Sequence, residues 1–349
     1  MKLLKKKFKY IKENKFFTSK NLSFFLIALL ISTTAIASSF TNKDIDSLPL
    51  NQTDEFEILL NYFETNNNFI NTDTQLIIPA NEVKKNMGND KYHVVDIRTD
   101  TWYEYGHLKN ANNVKAADLL TYFENKITPS NYDKIVLICY SGQSAAYYTS
   151  LLRLAGYGNV YSMKWGMSSW RLDFAENSWL KNVKNDFADK LETNETVKPE
   201  KGTHPTLNTG KTEAKEILRT RLEKAFATPY KEYIIKSTDV FANPATYYVS
   251  NYWDHDKYLN GHIPGAVQYQ PNASLSSTTD LYTLPADKKI AVYCATGQNA
   301  AYAVAYLNVL GYDVGNIGYG ANSFMNKTLK EKDWNAFTKK QINMYPVIE

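Results

Sequence analysis

Residues 135–146 read IVLICYSGQSAA and residues 290–301 read IAVYCATGQNAA, and these two stretches decide the fold. They contain Cys139 and Cys294, the only cysteines of the chain. In each stretch an apolar run ends at the cysteine, a glycine-containing loop follows, and small residues suited to a helix come next. The pattern predicts a strand, a loop and a helix. A thiol at such a junction faces the amide groups of a helix N-terminus, which stabilise a thiolate.

The similarity extends well beyond the two loops. At an offset of 155 residues the chain aligns with itself, and the further matches are Gly106-His107 with Gly261-His262, Tyr147 with Tyr302, and Gly156-Tyr157 with Gly311-Tyr312. A unit of about a hundred residues is too long for a solenoid repeat and has the size of a domain. The sequence therefore predicts two copies of one domain.

Within each copy, short apolar strands alternate with helices. This alternation favours an α/β fold with a small, mostly parallel sheet flanked by helices. We place the first domain at residues 73–183 and the second at residues 228–338. Residues 184–227 are predicted to form a polar linker and a connecting helix, and residues 339–349 a C-terminal tail. A polar N-terminal extension, residues 38–72, contains one amphipathic helix.

Residues 1–37 have the pattern of an export signal. Eight lysines and one glutamate lie within residues 1–21, an uncharged apolar run follows, and the run ends in AIA at residues 35–37. A basic region, an apolar core and a small-residue cleavage site are typical of a secretory signal peptide. We therefore predict an exported, periplasmic protein, with an uncleaved N-terminal membrane anchor as the alternative. This segment carries about +7 of a net charge of +4, which leaves about −3 on the rest of the chain, so no nucleic-acid partner is expected.

Further motifs lie around the cysteine loops. They are Asp96-Ile97-Arg98 after a strand, Gly261-His262-Ile263-Pro264-Gly265-Ala266 with its counterpart Gly106-His107-Leu108, and the later pair Gly156-Tyr157 and Gly166…Trp170. Together with the loops, they resemble the rhodanese family of sulfurtransferases in its tandem, two-domain form. The resemblance covers residues 75–180 and 230–330. It implies two rhodanese-like domains, in which the loop cysteine takes a sulfane sulfur from a donor, becomes a persulfide and passes the sulfur to an acceptor.

The resemblance implies that Cys139 and Cys294 are the catalytic residues. The substrate-binding loops beside them are Tyr140, Ser141, Gly142, Gln143, Ser144 and Ala145 in the first domain, and Ala295, Thr296, Gly297, Gln298, Asn299 and Ala300 in the second. Loop amides and the hydroxyls of Ser141 and Thr296 are expected to hold negative charge on the sulfur. Asp96, Arg98, His107 and His262 are expected to support the sites structurally, by orienting the loop, the end of the sheet or the neighbouring turn. No metal and no cofactor are expected, because the histidines lack ligand spacing.

The substrates are less sharply defined by the residues. The donor is expected to be a small sulfur compound, namely thiosulfate, polysulfide or mercaptopyruvate, and the acceptor a thiol or a cyanide-like molecule. Many thiosulfate-using members of the family carry basic loop residues, and neither loop here has arginine or lysine. The neutral loops therefore resemble those of members that use polysulfide or mercaptopyruvate. Asn251 replaces the motif aspartate in the second domain, yet both cysteines are present, so both are expected to work.

Other functions fit the cysteines to different degrees. A non-enzymatic carrier of sulfane sulfur, serving a membrane redox partner, needs the same persulfide and stays open. A Cys139–Cys294 disulfide would suit an oxidising compartment, and two degenerate domains used only for binding are a third reading. A cysteine phosphatase needs an arginine that clamps the phosphate, and Ser144 and Asn299 stand in its place.

Overall fold

The computed structural model describes residues 54–349. The predicted export signal or membrane anchor, residues 1–37, lies outside the described residues, as does the part of the N-terminal extension before Asp54. Among residues 54–349, no helix combines the length and the apolar character that a membrane crossing requires.

The elements of the first half of the described chain surround one sheet. They are α1 (Glu55–Asn66), β1 (Ile77–Ile78), α2 (Ala80–Asn86), β2 (Tyr92–Asp96), α3 (Asp100–Tyr105), β3 (Ala111–Asn113), α4 (Leu119–Asn125), β4 (Lys134–Ile138), α5 (Gln143–Leu154), β5 (Val160–Met163), α6 (Leu172–Asn177) and α7 (Trp179–Asn182). Short 3-10 turns lie at Phe69–Asn71, Ala116–Asp118, Pro129–Asn131, Gly166–Ser169 and Ala188–Lys190.

The second half repeats this order around a second sheet. Its elements are α8 (Ala214–Ala227), β6 (Ile234–Ile235), α9 (Ser237–Ala242), β7 (Tyr248–Asn251), α10 (His255–Tyr258), β8 (Val267–Gln268), β9 (Ile290–Tyr293), α11 (Gln298–Val309), β10 (Val314–Ile317) and α12 (Asn326–Lys332). Short 3-10 turns lie at Tyr230–Tyr233, Pro244–Thr246, Leu281–Thr283, Gly320–Ser323 and Lys339–Gln341.

The two sheets have the same topology. Their strand orders are β1-β5-β4-β2-β3 and β6-β10-β9-β7-β8, and neighbouring strands pair in parallel. The predicted α/β fold with two parallel-sheet units is confirmed. The edge strands β3 and β8 are not predicted by the sequence, because they are short and lack an apolar run. In a parallel sheet the carboxyl ends of the strands share one edge, which brings the end of β4 next to the ends of β2 and β5.

One buried core joins the two domains. Helices α5 and α11, which follow the two cysteine loops, pack against each other. Ala145, Ala146, Ala300 and Ala301 are fully buried in the cluster between them, where small side chains allow the helices to approach closely. An apolar interface of this kind opposes relative domain motion.

The segment that follows each domain docks on the other domain. Glu192, in the linker, pairs with His262 of the second domain in an antiparallel bridge. Ile348, in the C-terminal tail, pairs in the same way with His107 of the first domain. The linker and the tail are therefore ordered parts of the domain that they reach.

Helix α1 packs on the second domain. Asp54 caps its N-terminus, since Asp54 Oδ1 accepts a hydrogen bond from Phe56 N at 3.1 Å. Phe56 and Phe63 are buried, and the Phe63 ring lies 5.6 Å from the ring of Tyr306 on α11. The helix predicted in the N-terminal extension thus contributes an apolar face to the shared core.

Candidate active site

The first cysteine loop is held from its outer side. Cys139 directly follows the buried strand β4. The carbonyl oxygens of residues 139–141 accept hydrogen bonds from Met167 N, Ser168 N and Trp179 Nε1, at 2.9, 3.2 and 3.0 Å. Because these carbonyls are bound outside, the amides of the loop are free to point inward.

Two of these amides reach the sulfur of Cys139. Gly142 N donates to Sγ at 3.1 Å, and Ala145 N donates at 3.3 Å. Gly142 has a φ of +85°, a left-handed conformation that glycine adopts without strain, and it caps α5. The sulfur therefore lies at the positive end of a twelve-residue helix, in a position that favours an anion.

The hydroxyl of Ser141 does not make the bond to sulfur that the sequence suggests. Its oxygen instead accepts a hydrogen bond from Gln143 Nε2 at 3.1 Å. Tyr140, the other side chain next to the thiol, turns toward the carboxyl end of β2, where its hydroxyl oxygen accepts from Thr99 N at 3.1 Å. Within the part of the chain that the structure describes, the Cys139 sulfur is therefore bound by backbone amides.

The second loop holds its sulfur less closely. Ala300 N donates to Cys294 Sγ at 3.4 Å, and the Thr296 hydroxyl lies 3.9 Å from the same sulfur, as the sequence suggests. The two residues after the cysteine are also more enclosed here: Ala295 and Thr296 are 4% and 7% exposed, whereas Tyr140 and Ser141 at the first loop are partly exposed. Asn299, farther along the second loop, is exposed. The two sites therefore differ in access as well as in hydrogen bonding.

A tyrosine ring accounts for part of this enclosure. Tyr252 occupies the place that Ile97 has in the first domain, and it lies in the same buried cluster as Cys294. Its hydroxyl donates to Ile70 O at 3.4 Å and accepts from Asn272 N at 3.2 Å. The hydroxyl end of the ring is thus held between two backbone groups, and Tyr252 stands where the first domain has Ile97, which borders the cavity beside the first loop. Both cysteines are free thiols, and both are buried.

Asp96 and Arg98 form a buried ion pair at the end of β2. Arg98 Nη2 lies 2.7 Å from Asp96 Oδ2, and both side chains are completely buried. The same nitrogen donates to Gly106 O at 2.7 Å. The pair joins the end of β2 to the turn at Gly106 and has no contact with the sulfur.

The second domain replaces this ion pair with uncharged groups. Asn251 stands in place of the aspartate, and its Nδ2 donates to the Tyr293 hydroxyl at 2.8 Å. The same hydroxyl accepts from Ile263 N at 3.2 Å. Tyr293 thereby links the end of β7 to the turn that follows α10. The sequence gives no sign of this role, because a tyrosine at the end of an apolar strand is indistinguishable from a core residue.

The two supporting histidines have equivalent positions. Each Nδ1 bonds the carbonyl of the tyrosine four residues earlier, His107 to Tyr103 at 2.9 Å and His262 to Tyr258 at 2.8 Å. Each ring also stacks on that tyrosine with 3.8 Å between centroids. Burial lowers the pKa of His262 below its ordinary value, so its ring is neutral at pH 7. Within residues 54–349 no three His, Cys, Asp or Glu side chains cluster as a metal site would.

A cavity of about 750 Å³ borders the first loop. Residues of the loop that face it are Tyr140, Ser141, Gln143 and Ser144. The sequence does not indicate the other residues that line the cavity, which include Trp102, Phe174, Tyr230, Lys231 and Tyr319. No local signal could have found them, since they come from both domains and from the segment between them. The cavity gives small molecules a place beside the loop of Cys139.

Comparisons with known proteins match each half of the chain. The profile of the rhodanese-like domain matches residues 79–173 and 251–327. The thiosulfate sulfurtransferase GlpE of Pseudoalteromonas translucida is 31% identical over 90 residues, which are 25% of this chain and 82% of that protein. GlpE of Vibrio cholerae is 29% identical over 96 residues, 27% of this chain and 87% of that protein. The crystal structure of SseA from Escherichia coli, described among 3-mercaptopyruvate sulfotransferases, is 16% identical to this chain. The alignment covers 70% of this chain and 98% of the SseA chain, with a TM-score of 0.25.

Proposed function

Since this chain belongs to the rhodanese-like domain family, we propose that it is a sulfurtransferase that carries sulfane sulfur as a persulfide on Cys139. The observation that carries the proposal is the pair of amides at the sulfur, Gly142 N at 3.1 Å and Ala145 N at 3.3 Å. These amides and the end of α5 stabilise negative charge without supplying an acid that would quench it. Thiolate and persulfide both carry such a charge.

The transfer proceeds in two displacement steps. The Cys139 thiolate attacks the sulfane sulfur of the donor, so that a new S–S bond forms on the cysteine and the donor's bond to that sulfur breaks. The donor leaves with the electron pair of the broken bond. An acceptor thiolate or cyanide then attacks the outer sulfur of the persulfide and releases the Cys139 thiolate. With thiosulfate or polysulfide the transferred atom is already sulfane sulfur and keeps its oxidation state. With mercaptopyruvate the C–S bond breaks, and the carbon fragment takes the electron pair and is reduced to pyruvate as the sulfur is oxidised. In each case no outside oxidant or reductant is needed.

For Cys294 we propose a slower reaction than for Cys139. One amide, Ala300 N, binds its sulfur where two bind that of Cys139, and Ala295, Thr296 and Gln298 of its loop are buried. Thiosulfate, polysulfide and mercaptopyruvate all remain candidate donors, and a thiol or cyanide remains the candidate acceptor.

Intact-mass spectrometry of the reduced protein tests the proposal. After exposure to each donor, we expect one addition of ~32 Da that cyanide or reductant removes, the mass of one sulfur in a persulfide. The Cys139→Ser variant should lose this addition, whereas Cys294→Ser should retain it together with steady-state turnover. No addition with any donor would overturn the proposal. An addition that survives in Cys139→Ser and disappears in Cys294→Ser would reverse the assignment of the two sites.

A second candidate function is that of a sulfane-sulfur carrier for a membrane redox partner. It is favoured by the burial of Cys139, which is only 1% exposed, because a shielded persulfide is protected from adventitious thiols. The two functions are separated by turnover with excess cyanide. Many cycles per protein molecule support the transferase, and a single stoichiometric discharge supports the carrier.

We further propose that the protein is exported and works in the periplasm. The support is the basic and apolar pattern of residues 1–37. N-terminal sequencing of the protein recovered from a periplasmic extract is the test. A new N-terminus after Ala37 is expected, and recovery of intact Met1 in a membrane fraction would favour the anchor instead.

A further inference from the structure

The cavity beside Cys139 is shaped by three parts of the chain. Loop residues of the first domain form one wall, the end of α8 and the following turn form another, and Tyr319 of the second domain closes it. Its volume of about 750 Å³ lies within the range of about 300–1,000 Å³ that is usual for small-molecule sites. This is far larger than thiosulfate or a single sulfur atom requires.

Aromatic rings dominate the walls of the cavity. They belong to Trp102, Tyr140, Tyr148, Phe174, Phe226, Tyr230 and Tyr319. Trp102 packs edge-on against Tyr140, with 5.9 Å between ring centroids, and lies 6.1 Å from Phe174. Because these rings brace one another, they form a preformed apolar surface that leads to the cysteine loop.

Positive charge is nearly absent from the same walls. Among residues 54–349, Lys231 is the one charged residue that borders the cavity, and it is exposed to solvent. Nearby arginines are already occupied: Arg98 is paired with Asp96, and Arg171 with Asp173 at 2.8 Å. A doubly charged sulfonate such as thiosulfate would lose its hydration here without gaining charged partners in return.

Building on the proposed function, we propose that the first site takes an organic persulfide, R–S–SH, with an aromatic or alkyl body and at most one negative charge. The body of the molecule lies between the aromatic walls, and the persulfide end lies at Ser141 and Ser144, next to the Cys139 loop. Lys231, at the solvent side, is placed to meet a single carboxylate on the far end of the body. The specificity of the site thus comes from R rather than from the transferred sulfur.

The transfer from such a donor balances without a further reagent. Deprotonated Cys139 attacks the terminal sulfur of R–S–SH and forms the bond Cys–S–SH, while the S–S bond of the donor breaks. R–S⁻ leaves with the electron pair of the broken bond, and the proton stays on the transferred sulfur. The same cavity then holds the product thiol until it exchanges with solvent.

The test measures loading of the full-length protein by mass, with three donors in parallel. They are freshly generated benzyl persulfide, thiosulfate and inorganic tetrasulfide. We expect benzyl persulfide to load Cys139 at least about tenfold faster than thiosulfate, the scale on which apolar pockets discriminate. Equal rates for benzyl persulfide and thiosulfate would overturn the inference. Loading by tetrasulfide but not by benzyl persulfide would overturn it while leaving the proposed function intact, and no loading by any donor would overturn both.

A cavity-filling substitution provides the matched comparison. Ala227 borders the cavity at the exposed end of α8, and Ala245 is an exposed alanine outside it. Ala227→Trp should lower the ratio of benzyl persulfide loading to tetrasulfide loading by about tenfold, because the larger donor loses its space. Ala245→Trp should leave this ratio within twofold of the parent. Equal ratios in the two variants would show that the cavity does not bind the donor.

Discussion

Gln143 and Gln298, which hold the same position in the two cysteine loops, each bind the backbone of the opposite domain. Gln143 Oε1 accepts from Tyr319 N at 2.7 Å, and Gln298 Oε1 accepts from Trp165 N at 3.1 Å. The residue that opens the helix after each loop therefore anchors the neighbouring domain. The sequence places both glutamines in the substrate-binding loops, and in the structure their Oε1 atoms also tie each loop to the backbone of the opposite domain.

Removing either glutamine side chain should weaken the association between the two domains. Both side chains are buried, and Gln298→Ala leaves the Trp165 amide without its partner. We expect a loss of about 1–3 kcal/mol in the free energy of unfolding, the cost of an unsatisfied buried donor. Chemical denaturation measures it, with the exposed Gln75→Ala as control. A Gln298→Ala variant as stable as the control would mean that the hydrogen bond between Gln298 and Trp165 contributes nothing to the stability of the protein.

Gly166 should be irreplaceable beneath the first loop. Its φ is +57°, and a Cβ there would lie 2.6 Å from Gly142 N and 2.8 Å from the carbonyl carbon of Tyr140. These are backbone atoms, so the loop itself would have to move. Gly166→Ala should abolish sulfur loading at Cys139 and lower the melting temperature. Gly158→Ala, whose Cβ meets nothing within 4 Å, is the control, and equal loading in both variants would contradict the prediction.

Removing the Asp96 carboxylate while Arg98 remains should lower the stability of the protein considerably. Asp96→Ala leaves a buried guanidinium without its carboxylate, which typically costs about 3–5 kcal/mol of stability. The double variant Asp96→Ala/Arg98→Met removes the unpaired charge, so we expect it to recover part of the loss. Thermal and denaturant unfolding compare the three proteins. A double variant less stable than Asp96→Ala would show that Arg98 acts independently of the carboxylate, for example through its bond to Gly106.

Deleting residues 343–349 should destabilise the first domain, although they follow the second. Tyr345 N donates to Trp170 O, and Trp170 Nε1 donates to Pro346 O, each at 2.9 Å. Each lost bond is worth about 1 kcal/mol, and the deletion also uncovers a fully buried indole. A red-shifted tryptophan emission and a lower melting temperature are expected. Glu349→Gln removes only a largely exposed ion pair and should change stability by less than about 1 kcal/mol. If the deletion variant has the same melting temperature and tryptophan emission as Glu349→Gln, the prediction is wrong.

His262 should make the protein less stable in acid. Burial lowers its pKa in the folded state, so below about pH 6.5 the unfolded chain binds a proton that the folded chain does not. This contribution to stability is complete above that pH and is lost as the pH falls, by at most about 1.4 kcal/mol per pH unit. His262→Gln should flatten the dependence of unfolding free energy between pH 7.5 and 5.5. The exposed His255→Gln is the control, and His93, whose pKa burial also lowers, should account for part of the remaining slope.

The sequence by itself determined the fold of each domain. Alternating apolar strands and helices, and the glycine that follows each cysteine, are local patterns fixed by backbone geometry. They located β4, α5 and their counterparts β9 and α11 to within a residue or two. The duplication and the two cysteine loops follow from comparing the chain with itself, which needs no tertiary information.

Only the tertiary structure decided how unlike the two sites are. Tyr252 is held by Ile70 and Asn272 at the position where the first domain has Ile97. Ile97, Tyr230 and Tyr319 all border the cavity beside the loop of Cys139. Such contacts join residues that are far apart in the chain, and no local periodicity encodes them. They depend on how the linker, the C-terminal tail and the two sheets pack around one shared core, because only that packing fixes which side chains surround each sulfur.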